Sequence, residues 1–156
     1  MGPEPFRFTP GNGSATEGAA FSPFFKLLTT LIVGACGLWA YALWNAGALG
    51  SARTTGTGWL IAGLAIMVWT WWAIITSRTR IDAKGLHQRW MWNKEMALDD
   101  LAYAKLIRVR GLEWLIAPRL YVRTLAAKFS VFYGATPELI ADFERLAAEL
   151  KAQRGF

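Results

Sequence analysis

The 156-residue chain contains one cysteine, Cys36, and one histidine, His87. A single thiol excludes an intramolecular disulfide, and one His with no Cys cluster or paired carboxylates at ligand spacing leaves no set to hold a metal. Serines are few, and none stands in a motif with His and an acid, so triad chemistry has no carrier. The 15 glycines form neither a phosphate loop nor a dinucleotide fingerprint. Asp99 and Asp100 would point to opposite faces of a continuing strand, which makes them a turn rather than an acid–base dyad. Acidic residues number 11 against 17 Lys and Arg, a net charge of +6, but the basic residues gather in one stretch rather than in a nucleic-acid motif. The expectation is a protein with no catalytic residues, no cofactor, no metal and no nucleic-acid partner.

What is abundant is apolar. Hydrophobic residues make up 54% of the chain, mean hydropathy is +0.25, and nine tryptophans exceed what a core of this size needs. The chain turns on Trp69 to Gly85, where an apolar run with Trp69, Trp71 and Trp72 gives way to Arg78, Arg80 and Lys84. Trp at a bilayer interface followed by a basic flank marks the cytoplasmic end of a membrane span.

Residues 1–23, rich in Gly, Pro and small polar residues, read as an irregular tail with neither the basic start nor the short apolar core of a signal peptide. Residues 24–76 read as a transmembrane hairpin with spans at about 26–49 and 59–76. Lys26 can snorkel at the start of the first span, and from Lys26 to Trp44 a helix climbs roughly 27 Å at about 1.5 Å per residue. The Gly- and Thr-rich loop between the spans carries only Arg53. Gly34, Ala35 and Gly37 can face Ala62, Gly63 and Ala65 for close helix packing. The basic residues after Thr76 place both termini in the cytoplasm.

After the membrane the period becomes two. Strands are expected over Thr79–Ala83, Leu86–Trp92 and Glu95–Leu98, then in KLIRVR with Ile107 and Val109 inward, in RLYVRT with Leu120, Val122 and Thr124 inward, and in KFSVFY with Phe129, Val131 and Tyr133 inward. Thr136-Pro137-Glu138 predicts a capped helix start, and Leu139, Ile140, Phe143, Leu146, Ala147 and Leu150 form its apolar stripe, with Asp142 on the surface. The class is α+β with membrane helices.

TRIDAKGLHQRWMW, EMALDDLAYAKLIRVR and KFSVFYGATPELIADFERLAAEL, following a two-span hairpin, resemble the bacterial pleckstrin-homology-like (PH-like) membrane proteins. The resemblance covers about residues 77–153 and implies a bent antiparallel sheet capped by the C-terminal helix, a cytoplasmic domain used for binding rather than catalysis. GLEWLIAP, with Trp114, Leu115 and Ile116, departs from that pattern and is not needed to build the barrel.

The expected function is an inner-membrane-anchored module that holds a protein partner at the cytoplasmic membrane surface, through Trp114, Leu115 and Ile116 with Arg108, Arg110 and Arg119. The alternatives are a small structural subunit of a larger membrane complex, and an anionic-lipid sensor. For the last, Lys26, Trp72, Arg78, Arg80 and Lys84 lie at headgroup level, although the topology rule alone makes such a flank basic.

Overall fold

A computed structural model describes residues 4–49 and 55–155. The chain is α+β. Strand β1 (Ala15–Ala19) precedes two apolar helices, α1 (Pro23–Asn45) and α2 (Thr55–Thr76), and six strands follow: β2 (Arg78–Asp82), β3 (Gly85–Arg89), β4 (Asn93–Ala97), β5 (Leu101–Ile107), β6 (Arg119–Thr124) and β7 (Phe129–Tyr133). Helix α3 (Pro137–Arg154) closes the chain. The strands form two antiparallel sheets, β1-β2-β3-β4 and β5-β6-β7.

Both apolar helices are long enough to cross a membrane, though their bounds differ from the expected spans. Ser22 caps α1 by accepting a hydrogen bond from the Phe25 amide at 3.2 Å, with Pro23 in the first position, and α1 ends at Asn45 rather than Leu49. Arg53 lies outside the described residues. The expected small-residue packing does not occur: a Cβ added at Gly34, Gly37 or Gly63 would meet nothing within 4 Å. The helices meet instead through larger side chains, with the Trp71 indole N–H donating to Thr30 Oγ1 at 2.8 Å and Lys26 Nζ donating to the Ile75 carbonyl at 2.9 Å.

The N-terminal segment is not an irregular tail. β1 pairs with β2 from Ala15↔Asp82 to Ala19↔Arg78, so the two helices are an insertion between neighbouring strands of one sheet. Ahead of it, Phe6 and Phe8 are 3% and 2% exposed in the core beside Leu139, Phe143, Leu146 and Leu150 of α3. The Phe6-Arg7-Phe8 alternation was the signal of an extended, half-buried segment. Asp142, expected on the surface, is buried where it accepts hydrogen bonds from the Gly11 amide and from Thr16 Oγ1 at 2.5 Å. Gly18 faces Thr136 so closely that a Cβ would lie 2.0 Å from its Oγ1. Thr136 occupies the N-cap position of α3 with no side-chain cap bond, contrary to the capping role expected of it.

Two strand faces are the reverse of those expected. In β7 Phe132 is fully buried and Phe129 is 68% exposed, because Leu120↔Phe132 is the pair that meets the core. Both faces of FSVFY are apolar, so alternation alone does not choose between them. In β5 a register shift between Leu101 and Tyr103 puts Leu101 and Ala104 inward and leaves Ile107 43% exposed, while Val109 falls beyond the strand.

Candidate functional site

Strand β2 begins two residues after α2 ends, which fixes one side of the four-stranded sheet beside the last turn of α2. Arg78 lies directly opposite Arg89, and Arg80 opposite both Glu17 and His87. These side chains alternate outward while Thr79, Ile81, Leu86 and Gln88 are buried on the other face. Together with Ile75 and Thr76 they line an open cleft of about 520 Å³. Like charges directly opposite on neighbouring strands repel, and the cleft's carboxylate, Glu17, reaches Arg78 at 3.5 Å. Among the described residues Arg89 has no ion pair.

Next to the cleft, Asp82 makes the β2–β3 turn by accepting from the amides of Lys84 at 3.0 Å and Gly85 at 2.9 Å. Burial alone would raise its pKa, but those amides and the charges of His87 and Arg80 outweigh it and hold the carboxyl below its ordinary value. Of the residues expected at headgroup level, the structure brings Arg78 and Arg80 together in the cleft. Lys26 instead satisfies a carbonyl in the last turn of α2, and Trp72 is exposed on the surface of that helix. Lys84 sits on the β2–β3 turn, the far end of that hairpin from α2.

A second surface is the outer face of the three-stranded sheet. Register places Tyr103, Lys105 and Ile107 of β5 alongside Arg119, Tyr121 and Arg123 of β6 and Phe129, Val131 and Tyr133 of β7. Tyr121 stacks on Phe129 at 6.2 Å and meets Tyr103 edge-on at 6.5 Å. Leu125 is half exposed at the rim, over a cleft of about 340 Å³. The grid carries three cations and no acid, and the ion pairs among the described residues include none of Lys105, Arg119 and Arg123. This surface was missed in the sequence because Phe129, Val131 and Tyr133 were assigned to the core.

The loop between β5 and β6 does not gather its expected contact residues into one patch. Trp114 packs edge-on against Phe24 at the start of α1, with ring centroids 4.4 Å apart, and its indole N–H donates to the Gly111 carbonyl. The Leu115 carbonyl accepts from Ser22 Oγ, Leu115 and Ile116 are partly buried, and Arg108 is tied to Glu144 of α3. Arg110 borders that ion pair together with Glu113, whereas Arg119 belongs to the outer grid. Trp114 is therefore part of an aromatic rim at the helix ends, which Phe21 continues by packing against Phe25, Trp90 and Tyr133. Among the described residues no three His, Cys, Asp or Glu side chains converge to hold a metal ion. Comparison with known proteins gives no match to a family model, a curated protein or a solved structure.

Proposed function

We propose that the chain is a non-catalytic, membrane-anchored binding module that holds a protein partner at the cytoplasmic face of a bacterial inner membrane. In this reading α1 and α2 cross the bilayer, and the two sheets with α3 form a PH-like domain built from both ends of the chain. Several observations support it. Only 6% and 11% of the apolar windows of α1 and α2 are buried within the chain, the opposite of core helices in a soluble protein. Small antiparallel sheets closed by a C-terminal helix support it, with the difference that the first sheet takes its edge strand β1 from outside residues 77–153, which carry the resemblance. Pairing of β1 with β2 across the helical insertion is what a two-span hairpin with both termini on one side requires, and the basic flank at Arg78, Arg80 and Lys84 favours the cytoplasm for that side.

The observation that carries the partner reading is the acid-free grid of aromatic and basic residues on the outer face of β5, β6 and β7. Tyr and Arg in exposed clusters are the usual centres of protein interfaces, and three cations without carboxylates call for an acidic, partly apolar segment of the partner. Anchoring raises the effective concentration of such a surface towards other membrane proteins, so a modest contact suffices. A photo-crosslinking residue at Phe129 is expected to give a discrete protein adduct in intact membranes, abolished by Tyr121→Ala with Arg123→Glu. Adducts from Trp114 but none from Phe129 would reject the sheet as the partner surface.

A second reading, a structural subunit packed in a larger membrane complex, is favoured by the open space at Gly34, Gly37 and Gly63, where another helix could approach closely. Crosslinks from α1 or α2 with none from the sheet would select it.

A further inference from the structure

The cleft at the end of α2 has a composition that a basic membrane flank alone does not require. The positive-inside rule asks for Lys and Arg near a span but says nothing about their register. Here Arg89, which is 13 positions beyond the end of α2, is folded back opposite Arg78 on the same outward face, with Arg80 and His87 as the next pair along the sheet. Two guanidinium groups on directly opposed positions are unfavourable unless something anionic lies between them.

The surroundings say at what depth that anion would lie. Arg89 leads into the bend Trp90-Met91-Trp92, where Met91 is 38% and Trp92 60% exposed, and Ile75 and Thr76 from the last turn of α2 line the cleft. Exposed Trp and Met beside the last turn of a spanning helix suit the bilayer interface. The C-terminal end of a helix ordinarily repels an anion, but Lys26 Nζ already covers the Ile75 carbonyl. The Arg forks match the oxygens of a phosphate, and the long alkyl stems of Arg suit an interface where acyl chains and headgroups meet.

We propose that this cleft binds the phosphate of an anionic phospholipid headgroup, with Arg78 and Arg89 as its principal donors and Glu17 as a competing internal anion. The assignment rests on the membrane-spanning reading of α2 and is independent of the partner surface on the other sheet.

The test is native mass spectrometry of the full-length protein in mild detergent, offered equal phosphatidylglycerol and phosphatidylcholine. Wild type is expected to retain phosphatidylglycerol preferentially. Arg89→Ala is expected to lower that preference about fivefold, the loss of one basic residue at a lipid surface. Lys84→Ala removes the same charge from the same flank but outside the cleft, and is expected to leave the preference unchanged. Glu17→Gln is expected to strengthen it, a gain that an unfolded variant cannot give. Equal losses in the Arg89 and Lys84 variants would reduce the effect to general basicity and overturn the site. Displacement of the lipid by millimolar inorganic phosphate would overturn the lipid as the source of the phosphate group. Release of the protein from membranes by an alkaline wash would instead remove the spanning reading, a separate failure.

Discussion

The Gly11 amide donates to both carboxylate oxygens of Asp142, at 3.0 and 3.1 Å, and so ties residues 131 positions apart. The same carboxylate accepts from Thr16 Oγ1 and is braced by Arg145 at 3.3 Å. Further along α3, Arg145 donates to the Thr9 carbonyl and lies over the Phe8 ring, and Arg154 donates to the Glu4 carbonyl. The N-terminal segment thus runs antiparallel to α3 as a strap, with the buried Asp142 as its main anchor.

Asp142→Ala is expected to free that strap. Hydrogen bonds to a charged group are each worth about 1.5–3 kcal/mol, and removing the acceptor leaves the Gly11 amide and the Thr16 hydroxyl without it. The variant should lose about 2–3 kcal/mol of stability in a denaturant titration, and trypsin should cut at the exposed Arg7 faster than in the wild type.

Gln88 presents the opposite case. It is 2% exposed on the inner face of β3, and among the described residues neither its amide nitrogen nor its oxygen has a partner. Leaving a buried polar group unsatisfied costs about 1–3 kcal/mol, so Gln88→Met, similar in shape and apolar, is expected to raise the thermal midpoint. An unchanged or lower midpoint would mean that the amide is satisfied by water.

Much of this architecture was legible in the sequence. The two apolar runs, the positions of β2, β4, β6 and β7 and the start of α3 at Pro137 follow from period and turn residues, whereas β3 ends at Arg89 rather than Trp92 and β5 starts at Leu101 rather than Lys105; the Asp99-Asp100 step is a turn, with the Leu101 amide bonded to the Leu98 carbonyl. The role of residues 4–22 was not. ATEGA has weak strand propensity, and its partner β2 lies beyond the 58 residues 20–77, so no local pattern announces the pairing. Of the candidate site residues, Arg78 and Arg80 stood out as a flank, but Arg89 joins them only through strand register. Trp114 was legible as exposed, whereas its contact with Phe24 depends on how the loop meets α1.

The Asp82 turn should make stability fall on the acid side. Its carboxyl sits below the ordinary value of 3.8, chiefly because the Gly85 and Lys84 amides and the charges of His87 and Arg80 overcome the opposing effect of burial. A folded pKa below the unfolded one means that the unfolded chain binds the proton more readily. The contribution is therefore fully present above the ordinary carboxylate value and lost as pH falls through the folded pKa. Asp82→Asn is expected to flatten the acid limb of a stability profile between pH 5 and pH 2, by comparison with wild type, and a limb of unchanged slope would assign the acid sensitivity elsewhere.

The last expectation concerns the side of the membrane on which the strap and the C-terminal helix meet. β1 and β2 are hydrogen-bonded neighbours, and Asp142 holds Gly11, so the segment before α1 and the chain after α2 cannot lie on opposite sides of a bilayer without breaking the sheet. If both helices span, the turn after α1 must lie on the other side. Single cysteines introduced at Ser14, Ala48 and Gln153, each exposed, in a chain with Cys36→Ala, give three reporters. A membrane-impermeant thiol reagent applied to intact cells is expected to label Ala48→Cys alone, and permeabilisation to bring up Ser14→Cys and Gln153→Cys together. Labelling of Ser14→Cys and Gln153→Cys from outside would invert the orientation that the basic flank supports. Different accessibility of those two positions would break the pairing of β1 with β2, and with it the description of the domain as one body assembled from both ends of the chain.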